Sequence, residues 1–127
     1  MSKNNICIAV IDDDPVILRV FSSILSHAGL RADYYDSPSE AFNSIIADST
    51  RYDLIIADIL MPQEDGVSFV KRVRRHCPKL PVMFMTGGVT LEMKKEALSL
   101  GEVAFLEKPF PLMDVLSRTI RDFLKIE

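Results

Sequence analysis

Five short apolar runs recur along the chain, Ile6 to Ile11, Arg31 to Tyr35, Asp53 to Ala57, Leu80 to Met85 and Val103 to Leu106, and a segment with helical spacing follows each of them. Runs this short fit strands better than helices. Parallel strands need a crossover between them, and a helix supplies it, so strict alternation of strand and helix predicts a parallel sheet with helices on both faces. The first and third runs are almost wholly apolar, which suits central strands buried on both faces. The expected fold class is α/β, a doubly wound sandwich of five strands and five helices.

The helical segments carry their own start and stop signals. Asp14 stands where an N-cap belongs, Pro15 takes the first helical position, and Ile17, Val20, Phe21, Ile24, Leu25 and Ala28 recur at helical spacing until Gly29. Ser37 and Glu40 match a capping box ahead of the stripe Ala41, Phe42, Ile45 and Ile46. After Gly66 the stripe is Val67, Val70 and Val73, with Lys71, Arg72, Arg74 and Arg75 read as a solvated face and Pro78 as the stop. The span Thr90 to Leu100 is the most irregular, because Leu91, Met93, Ala97 and Leu98 make a ragged stripe before Gly101. The last helix is the most regular: Leu112, Val115, Leu116, Thr119, Ile120, Phe123 and Leu124 follow the i, i+3, i+4, i+7 pattern.

A chain of 127 residues, 48% of them hydrophobic, is enough for one core, so a single domain is expected over residues 1–127, with its core at about 5–125. No internal repeat, low-complexity stretch or Pro/Gly/Ser linker divides it. A net charge of -3 disfavours direct binding to nucleic acid or an anionic membrane surface. Met1 to Asn5 opens no apolar signal segment, and no stretch approaches the roughly 18 apolar residues of a membrane span, so a cytoplasmic location is expected. Cys7 and Cys77 are too far apart in sequence for a metal or redox pair and read as buried or half-buried thiols. His27 and His76 each fall near the end of a predicted helix and are given no site role.

Ligands of open α/β sheets bind outside the carboxyl ends of the strands. There the first run leads into Asp12, Asp13 and Asp14, the third into Asp58, the fourth into Thr86 and the fifth into Lys108. Each residue taken alone has an ordinary reading. Asp14 is better read as an N-cap than as a ligand, and for Asp12 or Asp13 capping and ligation are equally good. Thr86 and Lys108 singly are a strand-end hydroxyl and a surface lysine. Asp58 differs, because it interrupts the apolar stretch Leu54 to Met61. Buried carboxylates gathered together repel one another and call for a cation, and an all-oxygen donor set suits Mg²⁺ better than a soft metal.

The sequence resembles response-regulator receiver domains over nearly its whole length. Val10-Ile11-Asp12-Asp13-Asp14-Pro15 is similar to the family's acidic pair after the first strand. Asp53 to Pro62, followed by Asp65-Gly66, is similar to its phosphorylation segment. Pro81-Val82 through Thr86 resembles the strand that bears the switch hydroxyl, and Phe105-Leu106-Glu107-Lys108-Pro109-Phe110 its Lys-Pro-Phe element. The resemblance implies a flavodoxin-like sheet of order 2-1-3-4-5. It implies that Asp58 attacks a phosphohistidine on a sensor histidine kinase or phosphotransfer protein, with Thr86 and Lys108 assisting. Asp12, Asp13, Asp58 and the backbone carbonyl of Leu60 would hold Mg²⁺. Thr86 and Phe105 would form the switch, with phenylalanine lacking the hydroxyl of the commoner tyrosine. The face of helix 4, strand 5 and helix 5 would meet a downstream effector or output domain, or a second copy in a phosphorylation-dependent dimer. On this reading the chain is a signalling phosphoacceptor with slow autodephosphorylation and no turnover of other substrates.

Three other classes remain as alternatives. A phosphate-independent docking module would keep the fold without needing the acidic set, Thr86 and Lys108. A dehalogenase-like phosphatase would want a second acid two residues after Asp58, where Leu60 stands. A flavin binder of the same topology would meet carboxylates crowding its phosphate end.

Overall fold

The computed structural model describes residues 6–88, 90–101, 103–107 and 113–125, with the backbone alone at 113–115. In chain order the elements are β1 (Cys7–Ile11), α1 (Pro15–His27), β2 (Arg31–Tyr35), α2 (Pro38–Ala47), β3 (Leu54–Asp58), α3 (Gly66–Arg74), β4 (Val82–Thr86), α4 (Leu91–Leu98), β5 (Val103–Glu107) and α5 (Met113–Leu124). The sheet is parallel throughout, in the order β2-β1-β3-β4-β5. Strict alternation thus produced the expected doubly wound sandwich.

Burial explains the order of the strands. All five residues of β3 and of β4 are buried, while β2 and β5 at the edges are mostly half-exposed. The expectation that the first and third runs are central holds, and the fourth run joins them in the interior. One face of the sheet packs Phe21, Ile24 and Leu25 of α1 and Leu116 and Ile120 of α5 against Ile8, Val10, Leu54, Ile56, Met83 and Met85. The other packs Ala41 and Ile45 of α2, Val67, Val70 and Val73 of α3 and Ala97 of α4 against Ala9, Ile11, Ile55, Ala57, Val82 and Phe84. Alternate residues of each central strand feed opposite cores, which is why such strands read as continuous apolar runs.

The helix starts follow from single side chains. Asp14 accepts the Val16 N–H at 2.9 Å, Ser37 the Glu40 N–H at 3.2 Å, Asp65 the Ser68 N–H at 2.9 Å and Thr90 the Met93 N–H at 3.2 Å. Each satisfies an N–H that has no carbonyl partner in the first turn. At the other end of α1, Gly29 adopts φ +74°, the left-handed turn that ends a helix. β4 begins at Val82, later than its apolar run, because Pro81 has no N–H to donate; the Pro81 carbonyl still accepts from Ile55 at 3.0 Å. α4 ends at Leu98, two residues short of the span its pattern predicts.

The basic face of α3 departs from expectation. Arg72 makes two hydrogen bonds to Glu64, at 2.6 and 2.9 Å, and Lys71 pairs with Glu96 of α4 at 2.6 Å. Arg74 donates to the carbonyls of Leu80 and Leu100. Three of the four residues read as solvated therefore tie α3 to the loop before it, to the approach to β4 and to α4, a use that charge counting along one helix does not reveal.

Candidate functional site

The register of the sheet assembles the site. Ile11 of β1 lies beside Ala57 of β3, so the residues that follow, Asp12 and Asp58, emerge level with each other. Asp58 lies beside Met85, which puts Thr86 one step further along β4. Thr86 lies beside Glu107, the last residue of β5. Lys108 follows Glu107 in sequence and lies outside the described residues.

Carboxylate oxygens from Asp12, Asp13 and Asp58 all come within 4.8 Å of one another. Asp12 is 1% exposed, Asp58 6% and Thr86 3%, and these are the buried polar residues among those described. Asp13 is exposed. Asp12 Oδ1 accepts the Asp14 N–H at 2.9 Å and Asp58 Oδ1 accepts the Leu60 N–H at 3.0 Å. Two buried carboxylates and a third at the rim, presenting oxygen donors alone, fit a hard divalent cation that offsets their mutual repulsion. Asp14, capping α1, takes the structural role expected of it.

Gly66 fixes how closely α3 approaches this edge. A Cβ there would fall 2.3 Å from the Asp58 carbonyl oxygen and 3.0 Å from Ile59 Cα, and its N–H donates to the Ile59 carbonyl at 2.8 Å. The first residue of α3 therefore rests on the end of β3, and only glycine fits. A glycine directly after the Asp65 cap is the sequence signal for this contact. Leu60 lies in the same connection and is 44% exposed.

Phe105 is half-buried on β5, where its ring stacks on Phe84 with centroids 6.1 Å apart. Lys94 of α4 places Nζ 5.9 Å from the Phe105 ring centroid and 3.2 Å from the Glu107 carboxylate. The aromatic singled out in the sequence is thus a link between the sheet and α4. His76 meets Phe42 edge-on at 5.8 Å and is not among the residues of the acidic cluster.

A second polar cluster escaped the sequence pattern. Tyr52 donates to Asp33 at 2.6 Å, Arg51 donates to the same carboxylate at 2.7 and 3.0 Å, and the Tyr35 and Tyr52 hydroxyls lie 2.6 Å apart. Burial pushes the Asp33 carboxyl up, but the hydrogen bonds from Tyr52 and Arg51 outweigh it and hold the group below its ordinary range. Burial, then Asp33 and Tyr35, push the Tyr52 phenol well above its usual value. Burial also raises both thiols, Cys7 and Cys77, as expected of inert cysteines. No helix among the described residues is long and apolar enough to cross a membrane.

Comparison with known proteins agrees with this architecture. Residues 8–120 match the response regulator receiver domain. The putative two-component response regulator ARR21 of Arabidopsis thaliana is 33% identical over 108 residues, 85% of this chain and 17% of that protein. The transcriptional regulatory protein FixJ of Bradyrhizobium diazoefficiens is 33% identical over 103 residues, 81% of this chain and 49% of its own length. The chain thus spans less than half the length of these relatives. Among solved structures, the chemotaxis protein CheY4 of Vibrio cholerae superposes with a TM-score of 0.83 at 28% identity, covering 94% of this chain and 98% of that one. With the family match running over residues 8–120, from β1 into α5, the chain belongs to the response regulator receiver domains, the phosphoacceptors of two-component signalling.

Proposed function

We propose that Asp58 is the phosphoacceptor of this domain and that it takes a phosphoryl group from a phosphohistidine on a sensor histidine kinase or phosphotransfer protein. The observation that carries this reading is the meeting of the Asp12, Asp13 and Asp58 carboxylates within 4.8 Å, beside the buried Thr86. Asp12, Asp13 and Asp58, with the Leu60 backbone carbonyl, would hold Mg²⁺. The ion's contribution when bound is to neutralise the crowded carboxylates and the charge on the phosphoryl oxygens.

An oxygen of Asp58 attacks phosphorus in line with the donor imidazole. The new P–O bond forms as the P–N bond breaks, and the imidazole leaves with the bonding electron pair. Thr86 donates its hydroxyl to a phosphoryl oxygen, and the Lys108 ammonium offsets a second charge. Leu60 stands where an aspartyl-phosphate phosphatase would carry its general acid, which suits a stoichiometric acceptor better than a turnover enzyme, and water slowly reverses the modification. Movement of Thr86 toward the phosphoryl group alters its fit with β5, and Phe105, already packed between Phe84 and Lys94, carries the change to α4. The face of α4, β5 and α5 then meets an effector, an output domain or a second copy. On this reading residues 1–127 act as one cytoplasmic receiver unit.

The test is intact mass after incubation with acetyl phosphate and Mg²⁺. One labile phosphoryl adduct is expected in the parent, and none in Asp58→Asn or without metal. No adduct in the parent, together with no binding of a fluoroberyllate analogue, would favour a phosphate-independent docking module.

A further inference from the structure

The connection from β3 to α3 carries Leu60, and its shape is determined at both ends. At the start, Ile59 and Met61 are buried and the Leu60 N–H is held by Asp58 at 3.0 Å. Between these two anchors Leu60 is 44% exposed, so side-chain packing orients its peptide units less than it does those of its buried neighbours. At the far end Glu64 makes two hydrogen bonds to Arg72, at 2.6 and 2.9 Å, in the two-point geometry that leaves a carboxylate little freedom to rotate. Arg72 is held in turn, with its guanidinium carbon 4.2 Å from the centroid of the Phe42 ring on α2. The side chains of Arg72 and Glu64 are only 34% and 23% exposed. A solvated ion pair contributes little, whereas this one is forked, partly covered and stacked on an aromatic face.

We infer that Glu64 and Arg72 are a positioning pair for the metal site, which they serve by holding the connection so that the Leu60 carbonyl points toward Asp12, Asp13 and Asp58. The inference rests on the proposed function, since it needs Mg²⁺ at the acidic edge. Neither residue touches the metal or the phosphoryl group. Their effect is preorganisation: a ligand already aimed at the ion loses less freedom when the ion binds. Phe42 extends the support to α2, so that the connection is braced against two helices.

Mg²⁺ titration of the full chain, followed by calorimetry, tests the pair, with amide hydrogen exchange of residues 60–65 measured in metal-free protein. Glu64→Gln and Arg72→Met are each expected to bind Mg²⁺ about tenfold more weakly, the low end of what partners that orient metal ligands contribute. The double variant should be no weaker than either single one, because each alone already breaks the pair. Adduct formation from acetyl phosphate at saturating Mg²⁺ should match the parent, which separates ligand positioning from chemistry. Arg72→Lys, which keeps the charge but loses the fork, should fall between and serves if Arg72→Met does not fold. Parent-like Mg²⁺ affinity in these variants, with faster exchange at 60–65, would reduce the pair to a structural contact and overturn the inference alone. A parent that binds no Mg²⁺ would overturn the proposed function and the inference with it.

Discussion

Asp33 and Asp58 both belong to strands of one sheet, on β2 and β3, yet their carboxylates are accommodated by different means. Asp33 meets a guanidinium and a phenol, Arg51 and Tyr52, supplied from just before β3. Asp58 instead meets two more carboxylates, those of Asp12 and Asp13, and its neighbour in the connection, Leu60, gives it a backbone N–H. The first arrangement cancels charge inside the fold and adds stability. The second brings like charges together at the carboxyl ends of the strands, with backbone N–H groups among their donors, a pattern that suits an external cation. Among the described contacts, the two clusters thus differ in whether opposite or like charges meet.

Substitutions can break this contrast at either cluster. The largest effect is expected from Gly66→Ala, which drives a methyl group against the Asp58 carbonyl oxygen. Urea unfolding should show a loss of about 3 kcal/mol, because backbone lies on both sides of the contact and cannot yield as a flexible side chain would. Tyr52→Phe removes a buried hydroxyl that bonds both Asp33 and Tyr35 and should destabilise by about 1.5 kcal/mol in the same assay.

Asp33→Asn is expected to cost about 1 kcal/mol at neutral pH, since its partner Arg51 is half-exposed and screened. The pH dependence has a definite sign. The Asp33 carboxyl is held below its ordinary 3.8, so its contribution is present above that value and fades as pH falls through the lower folded value. Parent and Asp33→Asn stability curves should therefore converge below about pH 4.

The smallest effect has the opposite sign. Asp13→Asn relieves repulsion in the acidic cluster and should stabilise the protein in chelator by about 0.5 kcal/mol. Thermal melts should also show that this variant has lost most of the stabilisation Mg²⁺ confers on the parent. A destabilised Asp13→Asn in chelator would mean that the two clusters do not differ in kind.

Much of the molecule is legible in its sequence because local physics decides it. Apolar runs of strand length, Pro15 and Pro38 at helix starts, the caps Asp14 and Ser37, and Gly29 in a left-handed turn each depend on near neighbours, and together they determine five strands, five helices and their alternation. Alternation then confines the carboxyl ends of the strands to one edge, so Asp12, Asp58 and Thr86 could be nominated from sequence. The ragged stripe of α4 was legible too: Ala97 is its one buried residue.

Only tertiary structure decided which charged residues meet. Asp33 and Tyr52 are 19 positions apart, Lys71 and Glu96 are 25 apart, and Glu64 reaches Arg72 across the start of α3. The physical reason is that a charged side chain on a helix or loop has the same sequence signature whether it faces water or a partner. Register, helix packing and the close approach at Gly66 select among those fates, and they exist only once the sheet has formed.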